Sequence, residues 1–241
     1  MARSAGWQWR IPLQHRVGNG LVFCSAHITE EAARAELLAN LKGSPLSDPR
    51  LIRYVTGRRR KAWDKNVVAL GLASGFLEPL ESTSIHLIQV GVMRLIKLFP
   101  FGGQFETLSA RFNTHSALEL ENIRDFIIAH YKLTERDDTP FWRQCRDMKI
   151  PDSLAQRLEL FRESAYAYQT SDDLFSVDSW VFVMTGQRLM PRQYHHMTAM
   201  LGEQRVRKAL ENLKRTYAHA VSGMPMHKEF LRSYCPADRP Q

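Results

Sequence analysis

Residues 66–88 read Asn66-Val67-Val68-Ala69-Leu70-Gly71-Leu72-Ala73-Ser74-Gly75-Phe76-Leu77-Glu78-Pro79-Leu80-Glu81-Ser82-Thr83-Ser84-Ile85-His86-Leu87-Ile88. An apolar run ends at Gly71, passes through small residues to Gly75, and finishes on Glu78 and Glu81 beside three hydroxyl side chains. From Ser84 the spacing becomes helical. Ile85, Ile88, Val92, Leu95, Ile96 and Phe99 share one stripe, closed by Pro100 and the Gly102-Gly103 pair. A carboxylate and a set of helix-start amides at the end of a strand make a plausible catalytic corner.

Upstream, Trp7-Gln8-Trp9-Arg10-Ile11-Pro12-Leu13 alternates large apolar and polar residues, as a half-buried strand does. Arg16-Val17-Gly18-Asn19-Gly20 carries a turn signal, with Leu21–Cys24 returning as the second arm of a hairpin. Thr29 caps a helix with Glu30 and Glu31 in its first turn. Leu51–Thr56 and Asn66–Leu70 read as further strands. Beyond Ser84, helices are expected over about 105–132, 152–167, 192–201 and 203–221, separated by prolines. The chain thus divides into a strand-bearing region, 1–83, and a helical region, 84–241. This is an α+β, predominantly α pattern whose opening strands belong to an incomplete sheet, since an apolar strand such as Val67–Leu70 wants partners on both edges.

Composition narrows the function classes. With 241 residues and 44% hydrophobic content the chain can bury a sizeable core, and no run approaches membrane-span length. Cys24, Cys145 and Cys235 are odd in number and widely spaced, which favours reduced thiols in a cytoplasmic protein. The net charge of +8 is scattered. Its dense run, Arg58-Arg59-Arg60-Lys61, reads as a solvated loop, and no nucleic-acid-binding motif accompanies it. His195-His196 lacks metal-ligand spacing and reads as a surface pair.

Trp7-Gln8-Trp9-Arg10-Ile11-Pro12 resembles the W-x-W-x-I-P motif of the flavin-dependent tryptophan halogenases. Gly71 to Thr83 is similar to that family's flavin- and halide-contacting segment. Asp125-Phe126-Ile127-Ile128-Ala129-His130-Tyr131, followed by Phe141-Trp142-Arg143, is similar to its helical C-terminal half. The resemblance covers nearly the whole chain. It implies the C-terminal part of a flavin-monooxygenase-like, FAD/NAD(P)-binding fold. It also implies an enzyme that uses FADH2, supplied by a flavin reductase, and O2 to convert chloride or bromide into hypohalous acid. That species then halogenates tryptophan or another electron-rich, indole-like aromatic.

The resemblance gives residues roles. Glu81 matches the catalytic glutamate, which orients the halogenating species and takes the proton lost from the arenium intermediate. Thr83 and Ser84 match the halide-binding pair, with Ser84 standing where the family usually has glycine. Leu72 and Ile85 match flavin-contacting backbone positions, and Trp7 and Trp9 the tryptophans near the flavin. Phe175 and Trp180 are candidates for an aromatic substrate face. Each has a simpler rival. Ser82 or Thr83 can be an N-cap with Glu81 as an acidic neighbour; Trp7, Trp9, Phe175 and Trp180 can all be core aromatics.

Departures from the family pattern are equally specific. The chain's Gly-x-Gly, Gly18-Asn19-Gly20, lacks the third glycine and the following helix of a nucleotide-binding turn. The family's catalytic lysine lies in an N-terminal half that this sequence does not match, so no lysine here inherits that role. The expectation is therefore a halogenase C-terminal portion, prone to self-association and binding FAD weakly or not at all by itself. The alternative is a non-catalytic helical interaction module or a truncated remnant.

Overall fold

The alternation at Trp7–Ile11 does produce a strand. In the computed structural model, which describes residues 1–236, β1 (Ala2–Arg3), β2 (Gly6–Pro12) and β3 (Val17–Phe23) form an antiparallel sheet in the order β1-β2-β3. The register pairs Trp9 with Gly20 and Ile11 with Gly18. The expected turn at 16–20 is therefore corrected. The connection closes at 13–16, where the Leu13 amide donates to the Arg16 carbonyl at 2.8 Å, and both glycines lie inside β3. Trp9 explains them: a Cβ on Gly20 would stand 2.2 Å from the Trp9 indole. The facing of the strand is also revised. Gln8 is the buried residue, its Oε1 accepting from Arg3 Nε at 2.9 Å, while Trp7 and Trp9 are half-buried on the opposite face. After the hairpin comes α1 (Glu30–Ala39), capped as expected by Thr29 Oγ1 accepting from the Ala32 amide at 3.2 Å.

The described chain forms two compact units, one of Met1–Arg50, Asp138–Trp142 and the residues from Tyr194, the other of Leu51–Asp137 and Arg143–Gln193. The second unit opens with two-residue antiparallel ladders. β4 (Gly57–Arg58) pairs with β7 (Gly75–Phe76), and β5 (Trp63–Asp64) with β6 (Val67–Val68). The strand expected at Leu51–Thr56 is absent, and the one at Asn66–Leu70 shrinks to Val67–Val68 with Val67 exposed. A side chain reinforces the short β5-β6 ladder. Asn113 accepts from the Trp63 amide at 2.7 Å and donates to the Trp63 carbonyl at 2.8 Å, and the Trp63 ring packs on Phe105 and Phe112.

A 3-10 turn, Gly71–Ala73, leads toward α2 (Ser84–Lys97) and α3 (Glu106–Lys132). Gly71 has φ +55°, and a Cβ there would lie 2.3 Å from Ile88 Cγ1. A Cβ on Gly75 would lie 2.8 Å from Leu120 Cδ1. The small residues of the opening motif thus let the segment lie directly on both helices. Gly71→Ala should destabilise the protein by about 2–4 kcal/mol, combining a left-handed backbone with overpacking against α2. A urea unfolding midpoint equal to that of the unaltered protein would show that Ile88 yields freely.

Of the stripe read on α2, Leu95 packs against the cluster of Ala62, Trp63 and Phe112, but the rest does not face the core. Leu87 and Gly91 are buried, whereas Ile85, Ile88, Val92, Ile96 and Phe99 are exposed. Buried Glu119 on α3 sets the rotation. Arg94 donates to its Oε2 at 3.1 Å and to Ser116 Oγ at 3.0 Å, so the face carrying Leu87, Gly91 and Arg94 turns inward to neutralise a carboxylate out of water.

After α4 (Pro140–Asp147), α5 (Asp152–Ser164) and α6 (Val177–Gly186) pack on α3 through Phe126, Leu154, Leu158, Trp180 and Met184. In the first unit, Thr139 Oγ1 donates to the Ser4 carbonyl at 2.8 Å and Trp142 Nε1 to the Arg3 carbonyl at 2.7 Å. That unit also holds α7 (His196–Met200), α8 (Glu203–Ser222) and α9 (His227–Tyr234). α4, α6 and α9 carried no expectation from sequence. About half the chain is helical, and none of the described helices is long and apolar enough to cross a membrane.

Candidate functional site

Two carboxylates three residues apart leave the loop before α2 and meet consecutive residues of α3. Glu78 accepts from the Tyr131 hydroxyl at 2.8 and 3.0 Å. Glu81 Oε1 lies 3.0 Å from His130 Nε2. The other ring nitrogen of His130, Nδ1, is 2.9 Å from the Phe126 carbonyl one turn back on α3, and its ring meets that of Phe126 edge-on. His130 and Tyr131 sit in the last turn of α3, where the carbonyl end of the helix favours positive charge.

The electrostatics follow from this placement. Burial lowers the pKa of His130, but the Glu81 hydrogen bond, the Phe126 carbonyl and the charges of Glu81 and Glu78 outweigh it and hold it above the ordinary imidazole value. The nearby Tyr54 phenol is raised by burial and by the charge of Glu78, and its ring packs edge-on against Phe76. Lys132, the lysine nearest in sequence to this pair, donates to the carbonyls of Arg146 and Met148 at 2.7 and 2.8 Å.

The path from Glu81 into α2 is sharply bent. Ser82 has φ +52°, a left-handed conformation that costs a non-glycine residue about 1 kcal/mol, and its amide donates to the Pro79 carbonyl at 3.1 Å. Thr83 occupies the N-cap position and is buried, yet its side chain makes no capping hydrogen bond. The simple capping alternative for Thr83 thus loses its expected contact. Ser84 begins the helix, whose first amides have no intrahelical acceptor and point outward.

The remaining candidates are dispersed. Leu72 and Ile85 are 59% and 78% exposed, leaving apolar surface on the turn and on the first helical turn. Trp180 is 1% exposed and lies edge-on to Phe126, and Phe175 stacks on Phe126 at 3.7 Å. Trp7 and Trp9 belong to the other unit. His195 and His196 are exposed and stacked on each other. Sequence reading missed His130, Tyr131 and Glu78 as parts of the site. His130 and Tyr131 stood inside the Asp125–Tyr131 run, but nothing local shows that α3 returns to the 78–81 loop some fifty residues earlier.

A family model for tryptophan halogenase matches residues 1–203. Among curated proteins, tryptophan 7-halogenase RebH of Lentzea aerocolonigenes is 37% identical over 72% of this chain and 33% of its own length. 7-chloro-L-tryptophan 6-halogenase KtzR of Kutzneria sp. (strain 744) is 31% identical over 95% of this chain and 45% of its own. Among solved structures, Xcc4156, a flavin-dependent halogenase from Xanthomonas campestris, superposes with a TM-score of 0.96 at 47% identity, covering 100% of this chain and 48% of that one. BrvH, a flavin-dependent halogenase from Brevundimonas sp. BAL3, gives 0.91 at 44% identity over 98% of this chain and 48% of that one. The chain thus spans about a third to a half of the length of the relatives it matches.

Proposed function

The chain belongs to the tryptophan halogenase family, and on that premise we propose that it supplies the halide- and proton-handling part of a flavin-dependent halogenase acting on tryptophan or another electron-rich aromatic. The observation that carries this reading is Glu81, held by His130 at 3.0 Å immediately before the sharply bent entry to α2. A carboxylate fixed by one oxygen has the other free. It can accept a hydrogen bond from hypohalous acid and then take the proton released when the halogenated ring regains aromaticity. Thr83 and Ser84, at a helix start, offer amides to a halide. In this reading the fold is the C-terminal part of an FAD/NAD(P)-binding monooxygenase-like architecture.

Exposed Leu72 and Ile85 offer apolar surface suited to a flat, largely apolar ring system, so these residues fit a flavin isoalloxazine. When bound, reduced flavin supplies the two electrons that activate O2. Trp7 and Trp9 lie in the first unit, where both are half-buried and the Trp9 indole is laid against Gly20. Phe175, half-buried and stacked on Phe126, is the candidate face for an aromatic substrate, while Trp180 is buried edge-on to Phe126. A flavin reductase and a halide complete the partner set.

The pyrophosphate of FAD needs a glycine-rich turn at a helix N-terminus. Gly18 and Gly20 are instead paired within β3 and covered by Trp9. The purified 241-residue chain should therefore show no stoichiometric micromolar FAD complex when flavin fluorescence is titrated. A chimera in which this chain replaces the matching portion of the Xanthomonas campestris relative should bind FAD and release a halogenated indole. A folded, FAD-binding chimera that consumes O2 without halogenating indole or tryptophan would refute the halogenase reading. It would favour the interaction-module alternative, toward which the exposed Leu210, Leu213, Tyr217 and Val221 of α8 point.

A further inference from the structure

The two hydrogen-bond partners of His130 together leave its protonation little freedom. A backbone carbonyl can only accept, so Nδ1, 2.9 Å from the Phe126 oxygen, carries a hydrogen. In a neutral imidazole Nε2 would then present a lone pair to Glu81 Oε1, 3.0 Å away, and two acceptors would face each other. One proton between them removes the conflict. We propose that Glu81 and His130 form a single unit that retains one proton, with His130 as the positioning residue. It donates from Nε2 to one carboxylate oxygen of Glu81 and leaves the other for the reaction.

The surroundings of the ring place that proton on the imidazole. The second carboxylate of the loop, Glu78, stands close enough to add to the field and is engaged by the Tyr131 hydroxyl. The C-terminal end of α3 also favours a cation. Lys132 turns away to the carbonyls of Arg146 and Met148, and Gln187, at the end of α6, meets only the backbone carbonyl of His130, at 3.3 Å. With its pKa raised, His130 contributes stability that is fully present below the unfolded imidazole value and lost as pH rises through the folded value. On the alkaline side Nε2 loses its hydrogen while Nδ1 keeps its bond to Phe126, and the carboxylate of Glu81 loses its tether.

This inference rests on the halogenase reading for its catalytic consequence but not for its physical test. The ring nitrogens of the 241-residue chain, labelled with ¹⁵N-histidine and assigned by loss of signal in His130→Gln, should both be protonated at neutral pH. Glu81→Gln should move the His130 titration downward. A neutral ring with a bare Nε2 at neutral pH, or a titration indifferent to Glu81→Gln, would overturn the proposal. The ring signal of the unaltered chain decides the first point even if a variant fails to fold. In the chimera, His130→Gln presents an amide donor near the place of Nε2 at every pH. It should keep halogenation and abolish the alkaline fall in kcat, whereas His130→Phe should lower kcat throughout with KM for the aromatic little changed. Equal loss in both variants would mean a packing role only. A chimera without activity would count against the halogenase reading and leave the nitrogen spectra to judge the shared proton.

Discussion

Replacing Arg157 with leucine should destabilise the protein by about 3–5 kcal/mol, the range found when one partner of a buried ion pair is removed. Arg157 donates from Nη2 to Asp173 at 3.0 Å and from Nη1 to the Tyr168 carbonyl at 2.7 Å, with its side chain 7% and that of Asp173 1% exposed. Its guanidinium also lies between two aromatic faces, 4.1 Å from the centre of Tyr168 and 4.2 Å from that of Trp180. Leucine fills part of the volume but leaves Asp173 charged and buried, with only the Thr170 amide at 2.8 Å for company. Thermal melting should fall by about 10 °C or more. Adding Asp173→Asn, which keeps an acceptor for Thr170 and removes the stranded charge, should recover a substantial part of the loss. A single-variant loss below about 1 kcal/mol would mean that water reaches Asp173 and the pair is not dry.

This ion pair bears on the site through contiguous packing. Arg157 covers Trp180, Trp180 meets Phe126 edge-on at 4.8 Å, and Phe126 meets the His130 ring at 5.0 Å while its carbonyl holds Nδ1. The aromatics expected as a substrate face thus include one, Trp180, that braces Phe126, which in turn holds His130, the partner of Glu81. Arg157→Leu should loosen that support before it reaches any group that touches substrate.

The sequence was most legible where a local rule decided the structure. Thr29 caps α1 because its hydroxyl reaches the Ala32 amide, and periodicity located α3, α5 and α8. It misled where tertiary partners overrode pattern. The apolar residues of α2 form a regular stripe, yet Glu119, on another helix, turns Arg94 inward and all of the stripe but Leu95 outward. Gly18 and Gly20 read as a turn because they are glycines, whereas they are small to make room for Trp9. Leu51–Thr56 has strand composition but pairs with no strand, whereas Trp63, further on, pairs with Val68 and is fixed by Asn113. At the site, Glu81, Thr83 and Ser84 were visible as a motif. His130 was not, because its partnership is a long-range return of α3 that no spacing rule encodes.

Glu81→Gln, made in the chimera, should lower aromatic halogenation by roughly 10²-fold or more, the loss expected when a general base is removed. Flavin reduction and O2 consumption should stay nearly intact. Glutamine keeps the shape of the side chain and one oxygen acceptor but can neither take the arenium proton nor pair with an imidazolium. The structural cost should stay small, about 1 kcal/mol, because the half-buried pair is partly screened by solvent and glutamine retains a polar group opposite Nε2 while Nδ1 keeps its bond to Phe126. Melting temperature and halogenated product per O2 consumed should therefore separate, the first nearly unchanged and the second collapsing. If Glu81 served only as an acidic neighbour of the α2 N-terminus, the same substitution would cost a few tenths of a kcal/mol and spare the chemistry. The capping account is already weakened by Thr83, whose side chain leaves the helix start uncapped, and by Ser82, whose left-handed backbone swings Glu81 toward α3. A product yield per O2 equal to that of the unaltered chimera would remove Glu81 from the reaction and leave the carboxylate as a partner for His130 alone.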